Sequence, residues 1–175
     1  WPSNHVSISS TGKYRPCCAW EEQDNQLDVS TNSIEDYLNS DFYKNVMADM
    51  KADKFSVGCK ECALDEEAGI DGMVQTGESR YPDREEFDLF DMEIKFGNIC
   101  NAGCIMCSAY NSSLLDAENK SNPQLEQFRV FSSPLETNWF EDENKFREVI
   151  EFARRAKRIR FTGGEPTVRG LLDDF

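Results

Sequence analysis

"LFDMEIKF" (residues 89–96) runs directly into "GNICNAGCIMC" (97–107). Phe90, Met92, Ile94 and Phe96 alternate with Asp91, Glu93 and Lys95, the period-two pattern of a strand with one apolar and one polar face. The strand delivers three cysteines, Cys100, Cys104 and Cys107, with three residues in the first gap and two in the second. Downstream, "RIRFT" (158–162) repeats the alternation, with Ile159 and Phe161 against Arg158, Arg160 and Thr162, and ends in "GGEP" (163–166). Between the two strands, Phe146, Val149, Ile150 and Ala153 mark the buried stripe of a helix. Ser133 and Glu136, with Pro134 at the first helical position, predict a capping box that opens it. Residues 108–133 read as a polar, helix-prone and irregular insert. Strand, helix and strand together predict a right-handed parallel crossover.

The polar faces of these strands need a reason, because strands buried on both sides of a parallel sheet usually read as continuous apolar runs. An antiparallel sheet with a wet face would produce the pattern. So would a barrel with helices outside and a polar, ligand-holding lumen. The long intervening helix favours the barrel, and places Glu93, Lys95, Arg160 and Thr162 in the lumen.

Composition sets the outer limits. The 175 residues are 30% charged and 39% hydrophobic, enough for one ordinary core or two small ones. A formal charge of −14, with a pI near 4.5, argues against nucleic acid and anionic membranes as partners. No apolar run approaches the roughly 20 residues of a membrane span. Seven cysteines are an odd number and too sparse for a disulfide scaffold. Their grouping as Cys17–Cys18, Cys59/Cys62 and the 100–107 triplet favours metal ligation in a reducing compartment, hence a cytoplasmic protein. The chain begins at Trp1 and stops at Phe175, which reads as a piece cut at both ends, so a missing signal peptide carries no weight. "RRAKRIR" (154–160) is basic, but cations are expected at a helix carboxyl terminus, and the surrounding charge is acidic.

The amino-terminal stretch reads as α+β. Val6 and Ile8 alternate ahead of "STGKY", a turn that predicts a hairpin with Cys17 and Cys18 on its returning strand. Ser33 and Ser40 are candidate N-caps of two consecutive helices, whose apolar positions are Ile34, Tyr37 and Leu38, then Phe42, Val46 and Met50. "GCKECALDEEAG" follows, a Cys-x-x-Cys turn bracketed by Gly58 and Gly69. Residues 71–86 are polar, carry Gly72, Gly77 and Pro82, and predict a linker between a unit at 1–70 and another at 87–175. His5, the single histidine, reads as structural or surface, Trp139 and Phe140 as core, and Glu141, Asp142 and Glu143 as a solvated helix face.

Thiolates are soft ligands suited to zinc, copper(I) and iron–sulfur clusters. Structural zinc is normally closed by four ligands, and the histidine lies far from the triplet in sequence. A 4Fe–4S cluster held by three cysteines leaves one iron open to a non-protein ligand. The bacterial ferredoxin run is spaced differently and does not match.

With both motifs in place, the chain resembles the radical S-adenosylmethionine superfamily, through Cys100-x3-Cys104-x2-Cys107 after one strand and Gly163-Gly164-Glu165-Pro166 after the next. The resemblance implies the first part of a six-fold (β/α) partial TIM-like barrel, an α/β fold. It implies a 4Fe–4S cluster on Cys100, Cys104 and Cys107, with its open iron chelated by S-adenosylmethionine. Gly163, Gly164, Glu165 and Pro166 would meet the methionine end, and Met106 the adenine. Reductive cleavage would then yield a 5′-deoxyadenosyl radical for hydrogen abstraction, fed by a flavodoxin- or ferredoxin-like electron donor. The later barrel units of the family lie beyond this chain, so the piece by itself is expected to be inactive.

The amino-terminal cysteines resemble the twitch or SPASM-type auxiliary-cluster domains. That resemblance implies a second iron–sulfur cluster on Cys17, Cys59 and Cys62, with Cys18 or a cysteine upstream of Trp1 as the fourth ligand. Zinc fits the same four-thiol arrangement. By analogy with proteins carrying such domains, a peptide or protein substrate is expected. The competing class is a non-catalytic, cysteine-rich zinc-binding interaction module.

Overall fold

The computed structural model describes residues 3–21, 26–72, 87–124, 138–170 and 172. The linker expected at 71–86 falls almost wholly outside the described residues, and the capping box expected at Ser133 to Glu136 lies outside them too.

A four-stranded mixed sheet organises the chain, in the order β2, β1, β3, β4. Strands β1 (His5–Ile8) and β2 (Tyr14–Arg15) form the expected antiparallel hairpin, turning at Gly12, whose φ of 82° suits a residue without a side chain. Strand β3 (Asp91–Lys95) pairs in parallel with both β1 and β4 (Arg158–Thr162). The parallel β3–β4 pair is the expected crossover, and the antiparallel alternative for these two strands is excluded. The sequence pattern assigns β1 to a unit of its own, yet it sits in the same sheet as β3, because four consecutive residues, His5 to Ile8, pair with Asp91 to Ile94.

Five helices accompany the sheet among the described residues: α1 (Ile34–Asn39), α2 (Asp41–Lys51), α3 (Lys60–Glu67), α4 (Ser113–Ser121) and α5 (Glu143–Ala153). Ser33 caps α1 in a reciprocal box with Asp36, and Ser40 caps α2 by accepting from the Tyr43 amide, as the sequence predicts. Helix α5 starts later than the sequence suggests. Trp139–Glu141 form a 3-10 turn, and the Asp142 side chain accepts from the Asn144 and Lys145 amides as the N-cap. The Cys-x-x-Cys segment is also more ordered than a plain turn, a 3-10 turn (Val57–Cys59) passing directly into α3.

One face of the sheet is apolar. Val6, Ile8, Tyr14, Met92 and Ile94 are fully buried and join Tyr37, Val149 and Phe152 in a single core. Tyr14 stacks on Tyr37 with ring centroids 5.2 Å apart, and Phe96 stacks on Phe161 at 5.8 Å. Trp139 and Phe140 are buried in this core, as expected.

The opposite face carries the polar alternates, and they neutralise one another. Arg158 grips Asp91 through Nε at 3.0 Å and Nη2 at 2.9 Å, and Arg160 Nη2 adds a third bond at 2.9 Å. His5 meets the same carboxylate at 3.2 Å. Glu93 accepts from Ser7 at 3.1 Å and Thr162 at 2.8 Å. The expected set of Glu93, Lys95, Arg160 and Thr162 therefore does share a face, on which Glu93 bonds Thr162 and Arg160 bonds Asp91 across the strands. The parallel strands tolerate this alternation because each buried charge finds a partner. His5 is wholly buried, not a surface residue.

Candidate metal centres

The triplet loop leaves β3 at its carboxyl end and is pinned from beneath. The Asn98 side chain donates to the Ala109 carbonyl at 3.1 Å, while the Ser113 amide donates to the Asn98 carbonyl at 2.7 Å. The Cys100 amide donates to Ser113 Oγ at 3.1 Å. These bonds fasten the loop to the amino-terminal turn of α4. Cys104 is exposed, Cys100 and Cys107 are half-buried, and Ile105 and Met106 stand almost fully in solvent. The Cys107 amide donates to the Cys104 carbonyl at 2.9 Å, closing the turn between them.

The "GGEP" segment leaves β4 alongside. The Glu165 amide donates to the Ile99 carbonyl at 2.8 Å, and the Gly164 amide to the Asn111 carbonyl at 3.1 Å. Gly163 and Gly164 take φ values of 74° and 46°. A side chain on Gly164 would drive into the Ile99 carbonyl, and one on Gly163 would lie 2.9 Å from the Gly97 carbonyl. Both glycines are thus required by the contact between the two loops, a reason the sequence alone does not supply. Glu165 turns its Oε1 to the Thr167 amide and hydroxyl, at 3.1 and 2.7 Å, and caps the 3-10 turn that begins at Pro166. That turn-forming role stands beside the ammonium contact expected of it.

A second thiol group lies toward the other end of the sheet. Strand β2 runs antiparallel to β1, so the chain leaving Arg15 heads for the amino-terminal ends of the parallel strands. The Trp20 amide donates to the Cys17 carbonyl at 3.3 Å, which curls Cys17 and Cys18 into a turn. Trp20 then lies against Gly58, leaving no room for a side chain there, and meets Phe42 edge-on at 5.5 Å. The Glu21 amide donates to the Gly58 carbonyl at 3.0 Å. This interlock sets the Cys17–Cys18 turn on the turn that carries Cys59 and leads to Cys62. Sequence reasoning singles out Gly58 as bracketing the Cys-x-x-Cys turn but misses Trp20 and the packing between the two, although an aromatic beside paired cysteines is visible there.

Burial pushes Cys17 up to about 12, with the neighbouring Cys18, Cys59 and Cys62 adding to the rise. Burial also raises Cys59 and Cys62, with Cys62 acting on the first and Asp65 and Cys18 on the second. Uncharged, such thiols rest as protonated donors; a bound metal replaces those protons.

A family model for the SPASM iron–sulfur cluster-binding domain matches residues 1–63. The matched stretch holds Cys17, Cys18, Cys59 and Cys62 and stops well before the triplet. This segment is therefore similar to an iron–sulfur cluster-binding domain of a type found in radical S-adenosylmethionine enzymes. No curated protein and no solved structure matches the chain significantly.

The donor chemistry at both places fits an iron–sulfur cluster, since all seven candidates are soft thiols, spread over three chain segments. As they lie, no group of three or more His, Cys, Asp or Glu side chains among the described residues is in metal-holding geometry. Among the described residues no helix is long and apolar enough to cross a membrane.

Proposed function

We propose that the chain belongs to a radical S-adenosylmethionine enzyme, with its catalytic cluster on Cys100, Cys104 and Cys107 and an auxiliary cluster on the SPASM-like segment. The observation that carries this reading is the backbone bond from Glu165 to Ile99, which joins the cysteine loop and the "GGEP" segment at the ends of adjacent parallel strands. Two motifs separated by more than fifty residues in sequence thereby become one surface, at the carboxyl edge where barrel enzymes place their chemistry.

When bound, such a cluster supplies one electron to cleave S-adenosylmethionine and release a hydrogen-abstracting 5′-deoxyadenosyl radical. The chain's own residues do the holding. Cys100, Cys104 and Cys107 provide three thiolates from an exposed loop, which leaves room for a fourth, non-protein ligand. Gly163 and Gly164 bring bare backbone against the loop, and Glu165 and Pro166 shape the rim. Met106, exposed beside Cys107, offers a polarisable thioether to a flat aromatic group. A peptide or protein substrate and a flavodoxin- or ferredoxin-like electron donor complete the proposal.

Soft thiols at Cys17, Cys18, Cys59 and Cys62 also fit structural zinc, the second reading for that site. Anaerobic reconstitution with iron and sulfide tests both readings. Iron and acid-labile sulfide at two clusters per chain, falling to one in the Cys100→Ala/Cys104→Ala/Cys107→Ala variant, is the expected result. Zinc alone, confined to the amino-terminal thiols, would replace it with the non-catalytic module.

A further inference from the structure

Helix α3 lacks the supports that a short helix ordinarily has. None of its eight residues is buried, and none joins the core. No side chain caps its first turn, and its last turn carries Asp65, Glu66 and Glu67 with no base among them. Those carboxylates stand at the negative end of the helix dipole, where cations are favoured. A helix of this length is marginal in water unless one of its faces is packed.

The same helix presents an apolar strip to solvent. Gly69 ends it in the left-handed conformation, at φ 68°. The Gly69 amide donates to the Glu66 carbonyl at 3.0 Å, and the Ile70 amide to the Asp65 carbonyl at 2.9 Å. This pair of bonds folds the residue after the glycine back over the last turn, which brings Ile70 alongside Leu64. Val57, two helical turns before Leu64, extends the strip through the 3-10 turn that precedes α3. Val57 is 75% exposed, Ile70 56% and Leu64 51%. The flanks are acidic. Four of the eight residues of α3 are Asp or Glu and one, Lys60, is basic, and exposed Asp71 follows.

We propose that this strip is a docking surface for a cationic amphipathic segment of a partner protein. Aliphatic side chains of the partner cover Val57, Leu64 and Ile70, while its lysines or arginines pair with the carboxylates of the last turn. One such segment supplies both missing supports at once, a packed face and positive charge at the carboxyl end of the helix. Charge selects this occupant over others. A second copy of the chain, at a formal charge of −14, would set acid against acid, and an anionic membrane would be repelled.

The test is fluorescence anisotropy of a labelled amphipathic peptide of leucine and lysine, titrated with the whole chain at physiological ionic strength and one fixed metal loading. The native chain should bind it, and should not bind the version with glutamate in place of lysine. Leu64→Ser/Ile70→Ser should weaken binding by about tenfold or more, the loss expected when two aliphatic side chains leave a buried contact. Glu66→Lys/Glu67→Lys should weaken it by about fivefold or more. The same pair should leave the thermal midpoint unchanged or higher, because the new charges suit the end of the helix. Glu141→Lys/Glu143→Lys, an equal charge change at exposed positions elsewhere, should bind as the native chain does. Absence of binding by the native chain, or equal binding by the two lysine pairs, would overturn the proposal. So would binding lost in Glu66→Lys/Glu67→Lys only together with a lowered midpoint, and this pair decides should the serine pair fail to fold. Self-association of the chain that Leu64→Ser/Ile70→Ser abolishes in sedimentation would assign the strip to a second copy and overturn it as well.

Discussion

Glu165 and Ile99 are joined backbone to backbone, amide to carbonyl, at 2.8 Å. The bond ties the loop after β4 to the loop after β3, and it exists because Gly164, one residue earlier, has no side chain to hold the two apart.

That relationship makes Gly164 far more sensitive than an ordinary glycine in a left-handed conformation. Gly164→Ala should destabilise the chain by about 2 kcal/mol or more, combining backbone strain with a collision at Ile99. Gly69, at φ 68° with nothing within 4 Å of the place an added methyl would occupy, provides the comparison. Gly69→Ala should cost only about 1 kcal/mol. Urea unfolding of both variants measures the difference, and equal losses would mean the loops do not depend on this contact.

Phe161 lies on the opposite side of β4 from Arg160 and stacks on Phe96 with an interplanar angle of 15°. Phe161→Ala should cost about 3 kcal/mol, the lower end of the range for removing a core aromatic. Thermal melts that show Phe161→Ala as stable as the native chain would place the strand the wrong way round.

Acid should weaken the fold through the polar face. Burial is the largest influence on His5 and lowers it from 6.5, so the unfolded chain takes up a proton first and stability falls as pH drops below that value. Burial would raise Glu93, but Lys95, Thr162, Arg160 and Ser7 together hold it below 4.5. Its contribution is present above that value and disappears as pH falls through the folded value. Urea midpoints from pH 8 down to pH 2.5 should therefore decline in two stages, the second below about pH 4.5, and His5→Gln should remove the first. A midpoint independent of pH across this range would contradict the paired face.

Much of this arrangement is legible in the sequence, for reasons of local chemistry. Ser33 and Ser40 cap their helices because side-chain oxygens satisfy free amides within three residues, a short-range effect. The alternation in 89–96 and 158–162 correctly separates Glu93 and Arg160 from Ile94 and Phe161. What the pattern does not contain is the partner of each polar residue. Asp91 stands in the same alternation as Glu93, but only the parallel register brings His5, Arg158 and Arg160 to it. The same limit hides the place of β1, whose partner strand lies more than eighty residues away. Asp142 displaces the expected start of α5 because a single strong cap close to the apolar stripe suffices to begin a helix. At the amino-terminal site, Cys17, Cys18, Cys59 and Cys62 can be grouped by type, whereas Trp20 packing on Gly58, which brings them together, is a long-range contact.

The auxiliary site gives a prediction of its own. Cys59→Ser/Cys62→Ser should abolish metal at the SPASM-like segment and leave the triplet's iron in place, because the two groups draw on separate turns. Iron and zinc quantification on the purified, reconstituted chain reads this directly, and loss of all metal in the double variant would show the sites to be interdependent.

The central claim is that Cys100, Cys104 and Cys107 hold a cluster with one iron open to S-adenosylmethionine, and the most direct measurement is electron paramagnetic resonance of the dithionite-reduced, reconstituted chain with and without that molecule. The account predicts a spectrum that changes on adding S-adenosylmethionine, and a change that vanishes in Cys104→Ala while the auxiliary signal remains. A reduced cluster on the triplet whose spectrum is indifferent to S-adenosylmethionine, or a response that survives Cys104→Ala, would contradict it.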